Sequence, residues 1–463
     1  MDMIGRFFHE RFGGKRLAIL GFGREGRSTL RCISRYMPGH PVIISDRNPN
    51  METNDPVVLQ SGSVAWHTGP DYLKVLEDAD VIIKSPGIPF TVMNGMDIRG
   101  VITSQTEVFL ELFRDRVIGI TGTKGKSTTA SLLYHILRES GKAAVIAGNI
   151  GIPCFEVLEE VTPETPVVFE MSSHQLQHIR VSPHVAVLLN IFEEHLDYYG
   201  SFEVYRDAKL NIARWQKPGD VFVFNKASEG LENIMSLVET GAEKISVGDA
   251  FPGAGQMRCD GLDLVFTRKG KSMTFKDICQ QSLIIGRHNL ENMAAAVAAA
   301  LVLGAGPAFI SRAVSGFKGL PHRMQHAGTH SGVIFYNDSI ATIPEATIAA
   351  VKTLPDTETL ILGGTDRGID YRPLMHFLAD SDVSRLFFTG PAGRRMHALA
   401  KAIEGFQDKQ LIFSELFDEA VIQAARQTGR GKICLLSPAA ASYDQFTNFE
   451  ERGQRFIALA QNA

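Results

Sequence analysis

Short apolar runs alternate with stretches of helical periodicity along the whole chain. Near the N-terminus such runs lie at Leu17–Leu20, Val42–Ile44 and Asp80–Ile83. The first run leads directly into Gly21-Phe22-Gly23-Arg24-Glu25-Gly26, after which the helical periodicity begins. A strand, a tight glycine turn and a helix in this order, repeated along the chain, predict a parallel sheet with crossover helices.

The middle of the chain follows the same pattern. Val117–Ile120 leads into Thr121-Gly122-Thr123-Lys124-Gly125-Lys126-Ser127-Thr128, and a helical stretch then runs to Gly141, a suitable C-cap. Further strands are predicted at 167–170, 185–190 and 221–225, and an alanine-rich helix is predicted to end at Gly304. The glycines and proline of the segment 316–323 indicate a hinge.

Beyond this hinge, apolar runs lie at 333–336, 360–362, 386–389, 411–413 and 433–436, separated by helical stretches. We therefore predict an α/β protein with three domains. These are a Rossmann-like N-terminal domain over residues 1–105, a central P-loop ATPase domain with a mostly parallel sheet over 106–317, and a C-terminal Rossmann-like domain over 318–463.

Length and composition agree with a folded protein of several domains. The 463 residues are 44% hydrophobic and 21% charged, and about 150 residues per domain gives three domains. The net charge of -4 offers no basic excess for nucleic acid. The five cysteines form no CxxC pair, and no segment has the pattern of a signal peptide or a membrane span. We expect a cytoplasmic protein without stable membrane insertion.

The two glycine-rich loops predict phosphate binding, because a glycine turn at a strand end lets backbone N–H groups approach an anion at a helix N-terminus. In the second loop Lys126 adds a cation, and Ser127 or Thr128 offers a hydroxyl to Mg²⁺. The strict P-loop pattern would have glycine where Ile120 stands. We interpret this loop as a nucleoside triphosphate site, against the alternative of an incidental Gly-Lys-Ser turn.

The first loop is less specific. With Asp46 about 20 residues further on, it fits NAD, FAD or a sugar nucleotide, and it fits a purely structural turn as well. Arg24 and Glu25 stand where small residues would let a bare pyrophosphate lie close. This disfavours a plain dinucleotide site.

Three further residues are candidates for metal binding and catalysis. Glu170 follows an apolar run and so falls at the carboxyl end of a strand, where ligands bind in open α/β sheets. His195 lies within a carboxylate-rich segment, for which a solvated loop is the alternative interpretation. Lys209 falls on a predicted helix, and its spacing alone is that of a surface charge.

Taken in order, the motifs of this chain resemble those of the Mur ligases, and most closely those of the MurD branch. The resemblance covers nearly the whole chain, and the C-terminal motif together with the Rossmann-like start separates it from the folylpolyglutamate synthases. The motifs are the loop 121–128, Gly148–Gly151, Glu170–Ser173, His195–Asp197, Tyr205–Lys209, His288–Asn292, Leu320–Arg323, Asn337–Ser339 and Ser437–Phe449.

The resemblance implies an ATP-dependent ligase that adds glutamate to UDP-N-acetylmuramoyl-L-alanine in peptidoglycan precursor synthesis. In this family the substrate carboxylate attacks the γ-phosphate of ATP, and the amine of glutamate then attacks the resulting acyl phosphate, releasing ADP and phosphate. Cations and oriented N–H groups should carry most of the catalysis. A monomer that closes its C-terminal domain over ATP is expected.

The resemblance also assigns roles on the ATP side. Two Mg²⁺ ions are expected, held by Ser127, Glu170, His195 and Lys209, where Lys209 matches a lysine that the family carbamylates. Carbamylation requires a neutral amine, so the surroundings of Lys209 must disfavour its ammonium form. The residues expected to bind ATP are Gly122, Thr123, Lys124, Gly125, Lys126, Ser127, Thr128, Asn292, Arg323 and Asp338; the catalytic residues are Lys126, Glu170, His195 and Lys209.

The same resemblance divides the remaining site between the nucleotide sugar and the amino acid. The UDP and muramoyl groups are expected to contact Gly23, Arg24, Asp46, Gly87, Asn149 and His195. The glutamate is expected to contact Thr342, Arg367, Ser442, Tyr443 and Phe449.

Four positions depart from the family pattern: Lys124 replaces asparagine, Glu194 replaces aspartate, and Ile340 and Arg367 each replace a lysine. The last two flank the glutamate pocket, where the planar guanidinium of Arg367 imposes a different geometry from an ammonium. D-Glutamate is the family default, and L-glutamate is the alternative. Two further hypotheses are an NAD-dependent oxidoreductase, based on the first loop, and a catalytically silent nucleotide-binding regulator.

Overall fold

The computed structural model describes residues 2–50, 63–148, 152–228, 230–235, 237–284 and 286–462. Three β-sheets follow one another along the chain, flanked by helices, and most of their strands are parallel. This confirms the predicted α/β class. Contacts divide the chain into one compact unit of residues up to Ser282 with Arg287–Phe317, and a second of Leu283–Gly286 with residues from Lys318 onward. None of the described helices is long and apolar enough to cross a membrane.

The first sheet is parallel throughout, with strand order β3-β2-β1-β4-β5. The order reverses at β1, which leads into the first glycine loop, so this loop lies at a topological switch point. The elements are α1 (Met3–Phe12), β1 (Leu17–Leu20), α2 (Arg24–Tyr36), β2 (Val42–Asp46), β3 (Val64–Thr68), β4 (Val81–Lys84), β5 (Val101–Thr103) and α3 (Gln105–Phe113).

The second sheet has nine strands in the order β14-β13-β12-β11-β10-β9-β6-β8-β7. Strands β6 to β12 pair in parallel, and β13 and β14 extend the edge as antiparallel strands. The elements are β6 (Val117–Thr121), α4 (Lys126–Glu139), β7 (Val145–Gly148), β8 (Val167–Glu170), α5 (Ser173–Leu176), β9 (Val185–Leu188), α6 (Leu196–Tyr199), α7 (Phe202–Arg214), β10 (Val221–Asn225), α8 (Leu231–Met235), β11 (Glu243–Val247), β12 (Gly255–Asp260), β13 (Asp263–Arg268), β14 (Lys271–Phe275), α9 (Ile278–Gln281), α10 (Arg287–Val302) and α11 (Pro307–Gly316).

The third sheet lies in the second unit and has the strand order β15-β16-β20-β17-β18-β19, with only β15 antiparallel. All five apolar runs predicted beyond the hinge form strands. The elements are β15 (Gln325–His330), β16 (Val333–Asn337), α12 (Pro344–Thr353), β17 (Thr357–Gly363), α13 (Arg372–Ala379), β18 (Arg385–Thr389), α14 (Gly390–Ala402), β19 (Gln410–Ser414), α15 (Phe417–Gln427), β20 (Ile433–Leu436) and α16 (Phe449–Gln461).

The apolar core of the first unit is continuous across its two sheets. Phe8 of α1 is fully buried and contacts the ring of Phe155, a residue of the central part, with ring centroids 5.7 Å apart. Arg31 on α2 pairs with Glu156 beside this contact. The nucleotide-sugar and ATP regions predicted from the sequence are therefore parts of one packed body.

Candidate functional site

The loop around Lys126 joins β6 to α4 as the sequence predicted. Gly125 caps α4 with φ +86°, and a Cβ atom there would lie 2.2 Å from Oδ1 of Asn292. Only glycine therefore fits this left-handed position. The contact brings buried Asn292, from α10, against the loop. Lys126 Nζ donates to the carbonyl oxygens of Gly122 and Thr123, at 2.9 Å each.

Lys209 is buried against the same loop, only 2% exposed, and is not the surface charge that its spacing alone suggested. Its Nζ donates to the carbonyl oxygen of Gly122 at 2.9 Å and lies 4.9 Å from the ring centroid of Tyr205. Burial, and then the nearby charge of Lys126, hold the pKa of Lys209 well below its usual value. The neutral amine that carbamylation needs is thereby favoured.

Glu170 ends β8 and is buried, with 1% of its surface exposed. It lies beside Ile120 of β6 in the parallel register, one residue before the loop begins. The Thr121 hydroxyl donates to the Met171 carbonyl at 2.8 Å, which joins the two strand ends. Glu170 therefore lies at the carboxyl edge of the sheet, next to the loop around Lys126, as the sequence predicted.

Two of the departures from the family pattern contact each other. Lys124 Nζ lies 2.6 Å from Oε1 of Glu194. Burial acts to raise the pKa of Glu194, but the hydrogen bond and charge of Lys124 lower it. The longer acidic arm and the added cation thus form a pair between the loop and the segment before His195.

One cavity of about 350 Å³ is lined by residues that are far apart in the sequence. His195 lines it from a left-handed backbone position with φ 57°, and Nε2 of His195 lies 3.9 Å from Oε2 of Glu194. The neighbouring His174 ring has its centroid 5.0 Å from that of His195, and burial lowers the His174 pKa to about 4. The lining residues are Pro86, Gly87, Lys126, Ser172, Ser173, His174, Glu194, His195, Tyr205 and Lys209.

The first glycine loop and Asp46 come together as predicted. Oδ2 of Asp46 accepts from the Phe22 amide at 2.7 Å, and Oδ1 accepts from the Asn48 amide at 2.9 Å. Oδ2 thus orders the glycine loop, and Oδ1 orders the turn that follows β2. Gly23 is the N-cap of α2, and Arg24 is exposed at its first turn. Asn149, the remaining residue predicted at the muramoyl end, lies outside the described residues.

In the second unit Asp338 follows β16 and is buried, and its burial raises its pKa to about 6. Oδ1 of Asp338 accepts from the Met324 amide at 3.1 Å, and Oδ2 accepts from the Ser437 hydroxyl at 2.9 Å. Arg323 is exposed beside it. Two residues predicted to bind ATP therefore lie close together within this unit.

The turn that carries Arg323 is held by a buried histidine. His322 has φ 61° and Met324 has φ 44°, so Arg323 is flanked by two left-handed residues, which is strained for side chains larger than glycine. His322 Nδ1 is 2.9 Å from Nδ2 of Asn337. A Cβ atom on Gly453 would lie 2.1 Å from His322 Nδ1, so a helix glycine makes room for the ring.

The residues predicted to bind glutamate lie in the segments that follow the carboxyl ends of β16, β17 and β20 in the third sheet. Arg367 Nη2 donates to the carbonyl oxygen of Thr342 at 2.8 Å, which links two of these segments. Phe449 opens α16, and its carbonyl accepts from the Ser339 hydroxyl at 2.8 Å. Ser442 is buried and Tyr443 is 71% exposed.

Arg452 is a residue that the sequence analysis missed. It is 2% exposed and donates to the Ser339 hydroxyl and carbonyl at 2.9 and 2.7 Å, and to the carbonyl oxygens of Ala440 and Gly363 at 3.0 and 3.4 Å. It therefore ties together the segments at the carboxyl ends of β16, β17 and β20. Its position three residues after Phe449 could have indicated it, because residues three apart on a helix lie on one face.

Comparison with known proteins gives a consistent result. A family model described as the Mur ligase middle domain matches residues 120–300. The chain is 33% identical over 460 residues to a UDP-N-acetylmuramoylalanine–D-glutamate ligase of Ligilactobacillus salivarius, covering 98% of this chain and 97% of that one. It is 34% identical over 451 residues to the protein of the same name from Symbiobacterium thermophilum, covering 96% and 98%. A crystal structure of MurF from Acinetobacter baumannii shares the fold, with a TM-score of 0.60 at 18% identity, covering 92% of this chain and 91% of that one.

We predict that Gly453→Ala destabilises the second unit by roughly 1–3 kcal/mol, because the added methyl group overlaps the buried His322 ring. Chemical denaturation measures the change. Gly316→Ala is the matched control, since the nearest heavy atom to its Cβ would be 3.9 Å away. Equal stability of the two variants would contradict the role given to Gly453.

Proposed function

The chain belongs to the Mur ligase family, and on that basis we propose that it joins glutamate to UDP-N-acetylmuramoyl-L-alanine, converting ATP to ADP and phosphate. Relatives named for this reaction align with almost the whole chain. The observation that carries the proposal is the cavity shared by Lys126, His195, Lys209 and Gly87. An NAD-dependent oxidoreductase would leave this cavity without a role.

The chemistry must bring a carboxylate to the γ-phosphate of ATP, and the repulsion between these anions is the main barrier. Lys126 lines the cavity at the start of α4, where the glycine loop after β6 ends, and would bind the β- and γ-phosphates. Lys124 would add a second cation, balanced by Glu194. Once the acyl phosphate has formed, the glutamate amine attacks its carbonyl carbon and phosphate leaves. The loop N–H groups and these cations stabilise the charge throughout.

Magnesium would be held by Ser127, Glu170 and His195, with the carbamate of Lys209 as a further ligand. Carboxylate and hydroxyl oxygens suit this ion. Among the described residues no three histidine, cysteine, aspartate or glutamate side chains are grouped as a ready metal site. Phosphate oxygens would therefore have to complete the coordination of the two expected ions. When bound, the metal neutralises phosphate charge.

Carbamylation fits the surroundings of Lys209. A neutral amine adds CO₂ and releases a proton, which leaves a carboxylate-like carbamate anion in place of the amine. Lys126 disfavours a second ammonium beside it and would favour that anion. The product would supply oxygen atoms for magnesium where the unmodified amine could not.

The substrates would be divided along the chain as the sequence analysis expects. Residues 1–105 would bind the UDP group through Gly23, Arg24, Asp46 and Gly87, and residues 106–317 would bind ATP. Residues 318–463 would bind glutamate through Arg367 and its neighbours. We propose D-glutamate as the amino acid, in line with the names of the relatives.

A stereospecific turnover assay tests the proposed function. We expect ADP release with UDP-N-acetylmuramoyl-L-alanine and D-glutamate, and at least a hundredfold loss in Lys126→Ala. Lys142→Ala, a partly exposed lysine just beyond α4 and outside the cavity lining, is the control. Turnover with L-glutamate alone would overturn the stereochemical assignment, and no turnover with either enantiomer would overturn the ligase assignment.

The carbamate is tested by carbon-13 NMR after incubation with labelled bicarbonate. We expect a carbamate resonance in the wild type that is absent in Lys209→Arg, with activity lowered at least a hundredfold in this variant. Lys217→Arg, an exposed lysine after α7, should keep both. An unmodified but fully active wild type would refute the proposal.

A further inference from the structure

Lys84 is a buried lysine to which the proposed chemistry gives no role. It is the last residue of β4 and is only 4% exposed. Its Nζ donates to the carbonyl oxygens of Ser85 and Ile88, at 3.0 and 2.7 Å. It also lies 4.6 Å from the ring centroid of Phe90. The ammonium is thus enclosed by the turn that immediately follows it in the chain.

This turn forms one wall of the large cavity, because Pro86 and Gly87 line it together with Lys126 and His195. It also contacts the first glycine loop, where the Ser85 hydroxyl donates to the Gly21 carbonyl at 2.9 Å. The turn therefore connects the region proposed for UDP with the region proposed for phosphate transfer.

A second side chain holds the same turn from the other side. The Tyr198 hydroxyl, on α6, lies 3.0 Å from the Pro86 carbonyl oxygen and 3.1 Å from the Ile88 carbonyl oxygen. The Ile88 carbonyl is therefore shared by Tyr198 and Lys84. Two donors, one from strand β4 and one from helix α6, converge on a turn in which Pro86 and Pro89 carry no N–H of their own.

Stability does not explain why a lysine stands at this position. The acceptors of its ammonium are neutral carbonyl oxygens, and burial of a cation without a paired carboxylate is unfavourable. Burial lowers the pKa of Lys84 to about 8, and the charge of Glu25 offsets this only partly. Methionine has a similar length and would fill the space without that penalty.

We propose that Lys84 is a positioning residue for the nucleotide-sugar substrate, fixing the Ser85–Phe90 turn so that the cavity wall is formed before the substrate arrives. The inference rests on the proposed function, since it assigns this wall to that substrate. The Lys84 ammonium donates its hydrogen bonds to the turn. A preformed wall strengthens binding by removing the cost of ordering the turn in the complex.

The test is Lys84→Met, with Lys74→Met as the control, because Lys74 is an exposed lysine of the same region. We expect KM for UDP-N-acetylmuramoyl-L-alanine to rise about tenfold, as loss of a positioned wall would do, while KM for ATP stays within about twofold. The midpoint of urea denaturation should be unchanged or higher. Tyr198→Phe should raise the same KM, and the double variant should raise it by less than the product of the two effects.

Hydrogen exchange provides a measurement that does not depend on activity. In Lys84→Met the Ile88 amide, which donates to the Ser85 carbonyl at 3.3 Å, should exchange at least tenfold faster, while the amides of β4 should be unchanged. Unchanged exchange and unchanged KM would overturn the proposal, as would a lower denaturation midpoint accompanied by equal rises in both KM values. Failure of the wild type to release ADP would instead refute the proposed function, and exchange alone would then decide the role of Lys84.

Discussion

The carbonyl oxygen of Gly122 accepts hydrogen bonds from two lysine amines at once, Lys126 and Lys209, at 2.9 Å each. Two full ammonium charges so close together, one of them buried, are unfavourable. The arrangement is stable when one amine is neutral, and burial selects Lys209 for that state. Lys126, which lines the cavity, remains available to phosphate, and the buried Lys209 is left able to react with CO₂. A single shared acceptor thus separates the roles of two chemically identical side chains.

The same loop shows how a departure from a family pattern is compensated. Lys124 adds a cation where asparagine is usual, and Glu194 extends an acid where aspartate is usual. Together they form one ion pair, at 2.6 Å. Glutamate in place of aspartate leaves the charge unchanged, so Lys124 raises the total by one positive charge, and the longer arm of Glu194 pairs with that cation. Sequence comparison treats the two positions separately because they are 70 positions apart in the chain.

The fold and much of the site followed from the sequence, because strand ends of parallel sheets meet at one edge. Glu170 beside the loop and Asp46 beside the first glycine turn are both consequences of this rule. The antiparallel edge strands β13 and β14 were not predicted, since exposed edge strands lack the continuous apolar runs that mark buried ones. The spacing around Lys209 did not predict its burial, and only the family resemblance implied that its ammonium form is disfavoured. The proposed role of Lys84 and the contacts of Arg452 were not predicted either. They depend on long-range packing, and the sequence near a lysine or arginine does not indicate whether its charge is solvated.

The apolar core that includes Phe8 and Phe155 constrains how the sequence of this chain can evolve. The N-terminal sheet cannot be exchanged for that of a distant relative without exposing a complementary aromatic surface on the central sheet. Recombination at the boundary between these two parts would leave mismatched faces. Substitutions on α1, α2 and the segment around Phe155 are therefore expected to occur in concert, as they do between the subunits of an obligate dimer.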